Sequence, residues 1–117
     1  VHNYIIVARR FRDVNYTAKR LAEDIGTNTR YLSAAIRFYY GSNYSELVNK
    51  LRVEEAKRML SDAETTMTME EISYSAGFAN RQSFYTVFDK YCGMTPKKYR
   101  HDILARNADE AFELIIE

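Results

Sequence analysis

The scarcity of residues that interrupt helices limits the fold of this chain more than any other feature. The 117 residues include one proline and four glycines. Apolar residues recur at spacings of three and four along most of the chain, which is typical of amphipathic helices, and the alternation expected of strands is scarce. The pattern therefore predicts an all-α fold.

Glycines and capping residues divide the chain into seven predicted helices and a C-terminal helical tail. Every glycine follows a predicted helix, where a left-handed residue is needed. Asn43 and Thr68 each precede a glutamate by three residues, which is the spacing of a capping box. We expect Tyr31 and Tyr39 on the apolar side of the third helix, and Asn107 as the cap of a separate tail helix. The helices span about residues 4–13, 17–25, 28–40, 43–60, 68–76, 80–92 and 95–106, and the tail spans 107–117.

The two halves of the chain carry the same pattern. Each contains a short helix, a turn with a glycine, and a longer helix capped by asparagine, which is the order of a helix-turn-helix unit. One such turn occurs in any αα-hairpin, but two copies in register, joined by a long amphipathic helix, favour a double unit. At offsets of 51 and then 52 residues, the matching positions are Thr17/Thr68, Leu21/Ile72, Gly26/Gly77, Asn28/Asn80, Leu32/Phe84, Ile36/Phe88 and Gly41/Gly93.

The repeat predicts the domain organisation, and the charges follow it. We expect a first helix-turn-helix subdomain at residues 1–42, a connecting helix at 43–61, a second subdomain at 62–106 and an acidic tail at 107–117. The formal net charge of the chain is only +1. Residues 1–106 nevertheless hold all 17 basic residues against 12 acidic ones, for +5, and the last eleven hold four acids and no base, for −4. The chain therefore combines a basic body with an acidic tail.

Residues 76–100 carry the most specific motif in the chain. This stretch resembles the signature of the AraC/XylS transcription regulators, and the resemblance extends over about residues 4–100. It implies seven helices in two helix-turn-helix subdomains held apart by a rigid connecting helix, and it implies DNA binding for transcription regulation. The matching residues are Gly77-Phe78, Phe84, Phe88, Gly93, Pro96 and Tyr99-Arg100, with Leu21-Ala22, Tyr31-Leu32, Gly41, Arg52, Ala56 and Leu60 in the first half.

The candidate recognition helix of the second unit spans about residues 81–92. Its apolar residues define an inner side, which leaves Arg81 and Gln82 on the outer side at the helix start, and these two match base-contacting positions of the family. Arginine can grip guanine O6 and N7 as a fork, and glutamine can pair with adenine in the same way. The candidate base-contacting residues here are Arg81, Gln82, Ser83, Tyr85 and Thr86.

The candidate recognition helix of the first unit spans about residues 29–40 and is less typical. Arg30, Ser33 and Ala34 are its candidate base-contacting residues. The family often has a large polar side chain at the position of Ala34, whereas alanine offers only an apolar contact to a thymine methyl group. Since the two units differ, we expect an asymmetric target.

Phosphate contacts are expected from side chains and backbone N–H groups at the starts of helices. Lys97 and Lys98 stand in the first turn after Pro96, beside the end of the second recognition helix. The full set of candidate phosphate-contacting residues is Thr29, Arg37, Asn80, Lys90, Lys97 and Lys98.

Other function classes lack a sequence pattern. There is no nucleophile–base arrangement, no glycine-rich phosphate loop and no metal-ligand spacing, because Cys92 is far from His2 and His101. We therefore expect no enzyme activity, no cofactor and no metal site. No apolar run approaches the length of a membrane span, so we expect no membrane contact and a cytoplasmic location.

The expected partners are double-stranded DNA and RNA polymerase. The chain opens with valine in mid-pattern, so we interpret it as a fragment of a longer protein whose regulatory or sensor region lies elsewhere. The alternative is a helical protein–protein interaction module without base readout. The polar outer side at Arg81 and Gln82 discriminates between the two, because an apolar docking groove does not need it.

Overall fold

A computed structural model describes residues 1–116, and all regular structure in that range is helical. A π-helical turn at His2–Val7 and a 3-10 turn at Arg10–Arg12 come first. This architecture confirms the predicted all-α fold with two helix-turn-helix units and a connecting helix. The six α-helices are α1 (Ala18–Asp24), α2 (Thr29–Tyr40), α3 (Tyr44–Leu60), α4 (Met69–Ala76), α5 (Arg81–Cys92) and α6 (Pro96–Ile116).

Local capping sets the helix starts. The side chains of Thr17, Asn28, Asn43, Thr68 and Asn80 each accept a hydrogen bond from the backbone N–H three residues later, at 2.8–3.2 Å. Each bond satisfies one of the N–H groups that a helix start leaves unpaired. These caps explain why α2 and α5, the candidate recognition helices, begin where the sequence predicts.

Two hydrophobic cores form, and α3 contributes to both. Leu47 and Val48, near its start, belong to the first core with residues from α1 and α2. Ala56 and Leu60, near its end, belong to the second core with residues from α4 and α5. The connecting helix therefore joins two cores, and each candidate recognition helix packs on one of them.

The predicted first helix, at residues 4–13, is wrong as a continuous element. The chain breaks at Arg9, which adopts a left-handed conformation with φ of +55°. Ile5 and Phe11 are both buried in the first core. At 100° per residue, six residues place two side chains about 120° apart on a straight helix, so both reach one core only because the chain turns between them.

The prediction of a separate tail helix capped by Asn107 is also wrong. Helix α6 continues without interruption from Pro96 to Ile116, a length of about 31 Å. No proline or glycine follows Pro96, so nothing in the sequence breaks the helix. Residues 105–116 are all exposed, including Phe112 at 62% and Ile115 at 81%.

Deletion of residues 107–117 is expected to preserve the fold, because residues 107–116 contribute nothing to either core. The free energy of unfolding should change by less than about 0.5 kcal/mol, as for other exposed sites. Removal of four acids should tighten binding to random-sequence duplex DNA a few-fold. Thermal unfolding and titration with such a duplex check both effects. A variant with Asp109, Glu110 and Glu113 changed to their amides tests the charge alone, and an unfolded truncation would contradict the expectation.

Candidate nucleic-acid interface

Helix α5 is fixed by an aromatic core on one side. Phe84 and Phe88 are fully buried, and their rings lie 5.7 Å apart. Phe78 packs against Phe84 at 5.1 Å between centroids, and Tyr99 packs against Phe88 at 5.5 Å. The Phe78 and Phe84 rings are tilted by 33°, and the Phe88 and Tyr99 rings meet edge-to-face. These contacts to residues outside α5 hold the helix in one rotational position.

The solvent side of α5 carries the predicted base-contacting residues. Arg81, Gln82 and Thr86 are exposed, whereas Ser83 and Tyr85 are half-buried. The structure thus places all five on or beside one face at the start of the helix. Whether they contact bases remains a prediction.

Tyr85 supports the side chain of Arg81. The guanidinium carbon of Arg81 lies 5.1 Å from the centroid of the Tyr85 ring, and a guanidinium nitrogen is 3.5 Å from the tyrosine hydroxyl. The Tyr85 ring meets Phe84 edge-on, so it is anchored to the core. A guanidinium held by a cation–π contact loses less freedom when it binds. The spacing of four residues within one helix is the sequence signal for this pair.

Arg81 and Lys97 line one groove together with Thr68, Met69 and Glu70. Helices α4, α5 and α6 all begin around this groove. Helix starts present unpaired N–H groups and a partial positive charge, which favour phosphate. The fold therefore brings a predicted base-contacting residue and a predicted phosphate-contacting residue to the same place.

The remaining phosphate candidates of the second unit differ in the contacts that their side chains already make within the chain. The Lys98 ammonium lies 3.2 Å from a carboxylate oxygen of Asp102, and this contact helps to lower the pKa of Asp102. The Lys90 ammonium lies 5.8 Å from the Tyr91 ring centroid. The side-chain oxygen of Asn80 accepts the capping bond, which leaves its amide group for a phosphate. Lys97 is exposed and makes no ion pair within residues 1–116.

Helix α2 presents the predicted residues of the first unit. Leu32 and Ile36 are buried and face the first core. Every candidate named for this helix is exposed, including Thr29, which is its first residue. These residues are Thr29, Arg30, Ser33, Ala34 and Arg37.

The aromatic residues of α2 correct the predicted apolar side. Tyr31 and Tyr39 are exposed, because α2 packs through a narrow stripe and Tyr40 takes the place of Tyr39 against the core. Phe38, which the sequence reasoning missed, is 81% exposed. Its spacing of four residues from Ala34 is the signal that places both on the same side of the helix.

A groove in the first unit corresponds to the one at Arg81. It is lined by Thr17, Ser33, Asn43 and Ser45, among others, at the starts of α1 and α3. Ser45 occupies the place that Lys97 holds in the second unit. At this position the first groove offers a hydroxyl group where the second offers a cation, and the cation that lines the first groove is Arg52.

Three further features concern metal ligands, membrane spans and the cysteine. Residues 1–116 contain no group of three or more histidine, cysteine, aspartate or glutamate side chains arranged to hold a metal ion. No helix in that range combines the length and apolar character needed to cross a bilayer. Cys92 is half-buried, and burial raises the pKa of its thiol above the ordinary value.

Comparisons with known proteins agree with this geometry. YobQ, an HTH-type transcriptional regulator of Bacillus subtilis, is 37% identical over 87 residues, which cover 74% of this chain and 35% of YobQ. The C-terminal domain of the two-component response regulator yesN from Fusobacterium nucleatum has a TM-score of 0.73 at 30% identity, covering 81% of this chain and 90% of that one. The C-terminal domain of AraT, a response regulator from Geobacillus stearothermophilus, has a TM-score of 0.75 at 28% identity, covering 82% and 78%.

The family described as helix-turn-helix domain matches residues 21–102, which is more than half of the chain and includes both recognition helices. The chain spans about a third of the length of YobQ. The chain belongs to the AraC/XylS-type family of helix-turn-helix DNA-binding domains.

Proposed function

We propose that this DNA-binding domain regulates transcription by reading an asymmetric double-stranded site, with α2 and α5 in two segments of the major groove. The observation that carries the proposal is the start of α5, where Arg81 and Gln82 are exposed while Phe84 and Phe88 of the same helix are buried. An apolar docking surface for another protein would not need these side chains, so the geometry favours DNA over the interaction-module alternative.

In the second unit, Arg81 is proposed to bind guanine O6 and N7, and Gln82 to bind adenine N6 and N7. Residues near the start of a recognition helix reach deepest into the groove, which favours these two. Ser83, Tyr85 and Thr86 lie beside them and supply further contacts.

In the first unit, Arg30 is proposed as the main base reader, with Ser33 beside it. Ala34 offers its methyl group to a thymine methyl. Because the two helices present different side chains, the two segments they read should differ in sequence. If both helices enter the same face of the duplex, the segments are about one helical turn, roughly 34 Å, apart.

Phosphate contacts are proposed to fix the register of the domain on the duplex. Support comes from exposure and from position, since the candidates lie on or next to the two recognition helices. Lys98 should contribute less than Lys97, because its charge already pairs with Asp102. The proposed residues are Thr29, Arg37, Asn80, Lys90, Lys97 and Lys98.

The chain is proposed to be the DNA-binding part of a longer cytoplasmic regulator. It spans about a third of YobQ, and the two solved relatives described above are C-terminal domains of response regulators. A second region of such a protein would receive the signal, and RNA polymerase would be the partner through which transcription responds.

Selection of bound duplexes from random DNA tests the proposed function. We expect two different conserved segments, one for each recognition helix, at a fixed separation of about one helical turn. A palindromic consensus would contradict the asymmetric reading by one chain. Failure to enrich any sequence would contradict base readout altogether.

Binding should weaken steeply with salt, because each neutralised phosphate releases counterions. Six phosphate contacts predict a loss of about a thousandfold in affinity between 50 and 200 mM salt. Titration of the selected duplex at several salt concentrations gives the slope. Lys97→Gln should reduce the slope by about one unit. Lys98→Gln is the matched control and should reduce it less, and a salt-independent affinity would rule out these contacts.

A further inference from the structure

The two recognition helices rest on separate cores, so their relative position depends on what joins the cores. Helix α3 is one connection, since it contributes residues to both. A second connection is the segment at residues 9–13, which includes the 3-10 turn Arg10–Arg12. We call this segment the strap.

The strap is attached to α3 by two arginine contacts. The Arg52 Nε donates a 2.7 Å hydrogen bond to the backbone carbonyl of Phe11, and a second nitrogen of Arg52 donates to the carbonyl of Asp13 at 3.4 Å. The Arg12 guanidinium donates to a carboxylate oxygen of Glu55. Arg52 is half-buried, so its bonds to the strap are shielded from water.

Glu55 is 9% exposed and lies at the centre of an ion-pair cluster. Its carboxylate also accepts a 2.7 Å hydrogen bond from Arg58 on the same helix. Burial raises the pKa of Glu55, but the bonds from Arg58 and Arg12 outweigh it, so the pKa lies below the ordinary value. Loss of a partner would leave the buried carboxylate of Glu55 with an uncompensated charge. The bond from Arg12 therefore stabilises the contact between the strap and α3.

The strap also touches the second unit at its helix-turn-helix turn. Gly77 ends α4 with φ of +104°, just before α5. A Cβ at this position would overlap the carbonyl oxygen of Phe11 and lie 2.9 Å from the Cα of Arg12. The backbones are therefore packed directly together, in a way that only glycine permits.

The strap thus contacts three parts of the molecule at once. The side chain of Phe11 is buried in the first core, the backbone around Phe11 is bound by α3, and the same backbone packs on Gly77. A bend of α3 between the two cores would break the contact at Gly77. This arrangement braces the connecting helix at the point where the two cores meet.

We propose that Arg52 and Glu55 are positioning residues, which hold the strap in place and thereby fix the distance and angle between α2 and α5. The consequence for DNA binding rests on the proposed function, since it requires that both helices read the duplex. A rigid pair of helices accepts one spacing between its two DNA segments. One inserted base pair moves a segment by about 3.4 Å and rotates it by about 35°.

A distance measurement without DNA tests directly whether the strap fixes the relative position of the two units. Spin labels at Glu23→Cys on α1 and Asp89→Cys on α5, both exposed positions, report the separation of the units in a Cys92→Ser background. We expect one narrow distance distribution by pulsed electron paramagnetic resonance. Arg52→Met should broaden it at least about twofold. Arg12→Met removes the strap's hydrogen bond to Glu55 without changing α3 and leaves the longer ion pair of Arg9 with Glu55, at 4.0 Å, so it gives a second, milder variant that should broaden the distribution less.

Glu54→Gln is the matched control. Glu54 neighbours Glu55 but pairs with Lys57 on the same helix, at 3.3 Å, and makes no hydrogen bond or ion pair with the strap among the described residues. The control should leave the distribution unchanged. Circular dichroism shows which variants are folded. A folded Arg12→Met or Arg52→Met protein with the wild-type distribution would overturn the proposal.

Spacing variants of a selected duplex test the consequence for recognition. One base pair inserted between the two segments should weaken wild-type binding about tenfold or more, and binding of Arg52→Met about threefold or less. An equally large loss of affinity in Arg52→Met would overturn the role of the strap in DNA recognition. If selection yields no preferred sequence, the proposed base readout fails, and the spin-label distances still decide whether the strap positions the units.

Discussion

Replacement of Arg81 and Gln82 by alanine is expected to abolish base discrimination by the second unit and to leave the fold intact. Both side chains are exposed on α5, and neither contributes to the second core. A good bidentate contact to a base provides about 1–3 kcal/mol of discrimination. Two such contacts therefore correspond to a ratio of roughly 30-fold to more than 10⁴-fold. The measurement is the ratio of affinities for the selected duplex and a scrambled duplex at one salt concentration.

A matched control separates base reading from the loss of a charge. Arg106→Ala with Asn107→Ala removes the same charge and a similar amide from an exposed part of α6. This control should lower both affinities slightly and keep their ratio. Far-UV circular dichroism should be unchanged in both double variants. If Arg81→Ala with Gln82→Ala kept the wild-type ratio, the assignment of these residues to base contacts would be wrong.

The recognition helices could be predicted from the sequence because their limits are set locally. Asn80 caps α5, and the helix ends at Gly93, which adopts a φ of +69°. Both signals lie within a few residues of the helix they delimit. The exposure of Gln82 follows from the helical period once Phe84 and Phe88 are assigned to the core, whereas Arg81 is exposed as the first residue of α5.

The strap could not be predicted, because its contacts join distant parts of the chain. The sequence predicts Gly77 as a helix end, which agrees with its positive φ, but its packing on Phe11 involves residues more than 60 positions apart. The main partners of Arg52 are the backbone carbonyl groups of Phe11 and Asp13. Carbonyl groups belong to every residue, so such bonds leave no signature in the sequence.

The break at Arg9 had no local signal either. Left-handed backbone is typical of glycine and asparagine, and arginine adopts it here because tertiary contacts require the turn. Ile5 and Phe11 both fill the first core, and this packing outweighs the helical propensity of the segment. At the other end of the chain the local rule was misleading, since Asn107 has the chemistry of a cap but lies inside α6.

Phe84→Ala is expected to cause the largest loss of stability among single changes in α5. Phe84 is fully buried and contacts the rings of Phe78, Tyr85 and Phe88. Truncation of a buried phenylalanine costs about 3–5 kcal/mol. The free energy of unfolding of a native domain is about 5–15 kcal/mol in total, so Phe84→Ala should remove much of it.

Phe84→Ala should also affect the two recognition helices differently, because only α5 packs through Phe84. Tyr85 would lose the ring against which it packs, and α5 would lose the contact that fixes its rotation, whereas the first core, with α2, does not include Phe84. At a temperature where the variant remains folded, discrimination should fall for the segment read by α5 and persist for the segment read by α2. Phe112→Ala is the matched control, because it removes the same side chain from an exposed position and should change stability by less than about 0.5 kcal/mol. Equal unfolding midpoints for the two variants in urea would contradict the proposed role of Phe84.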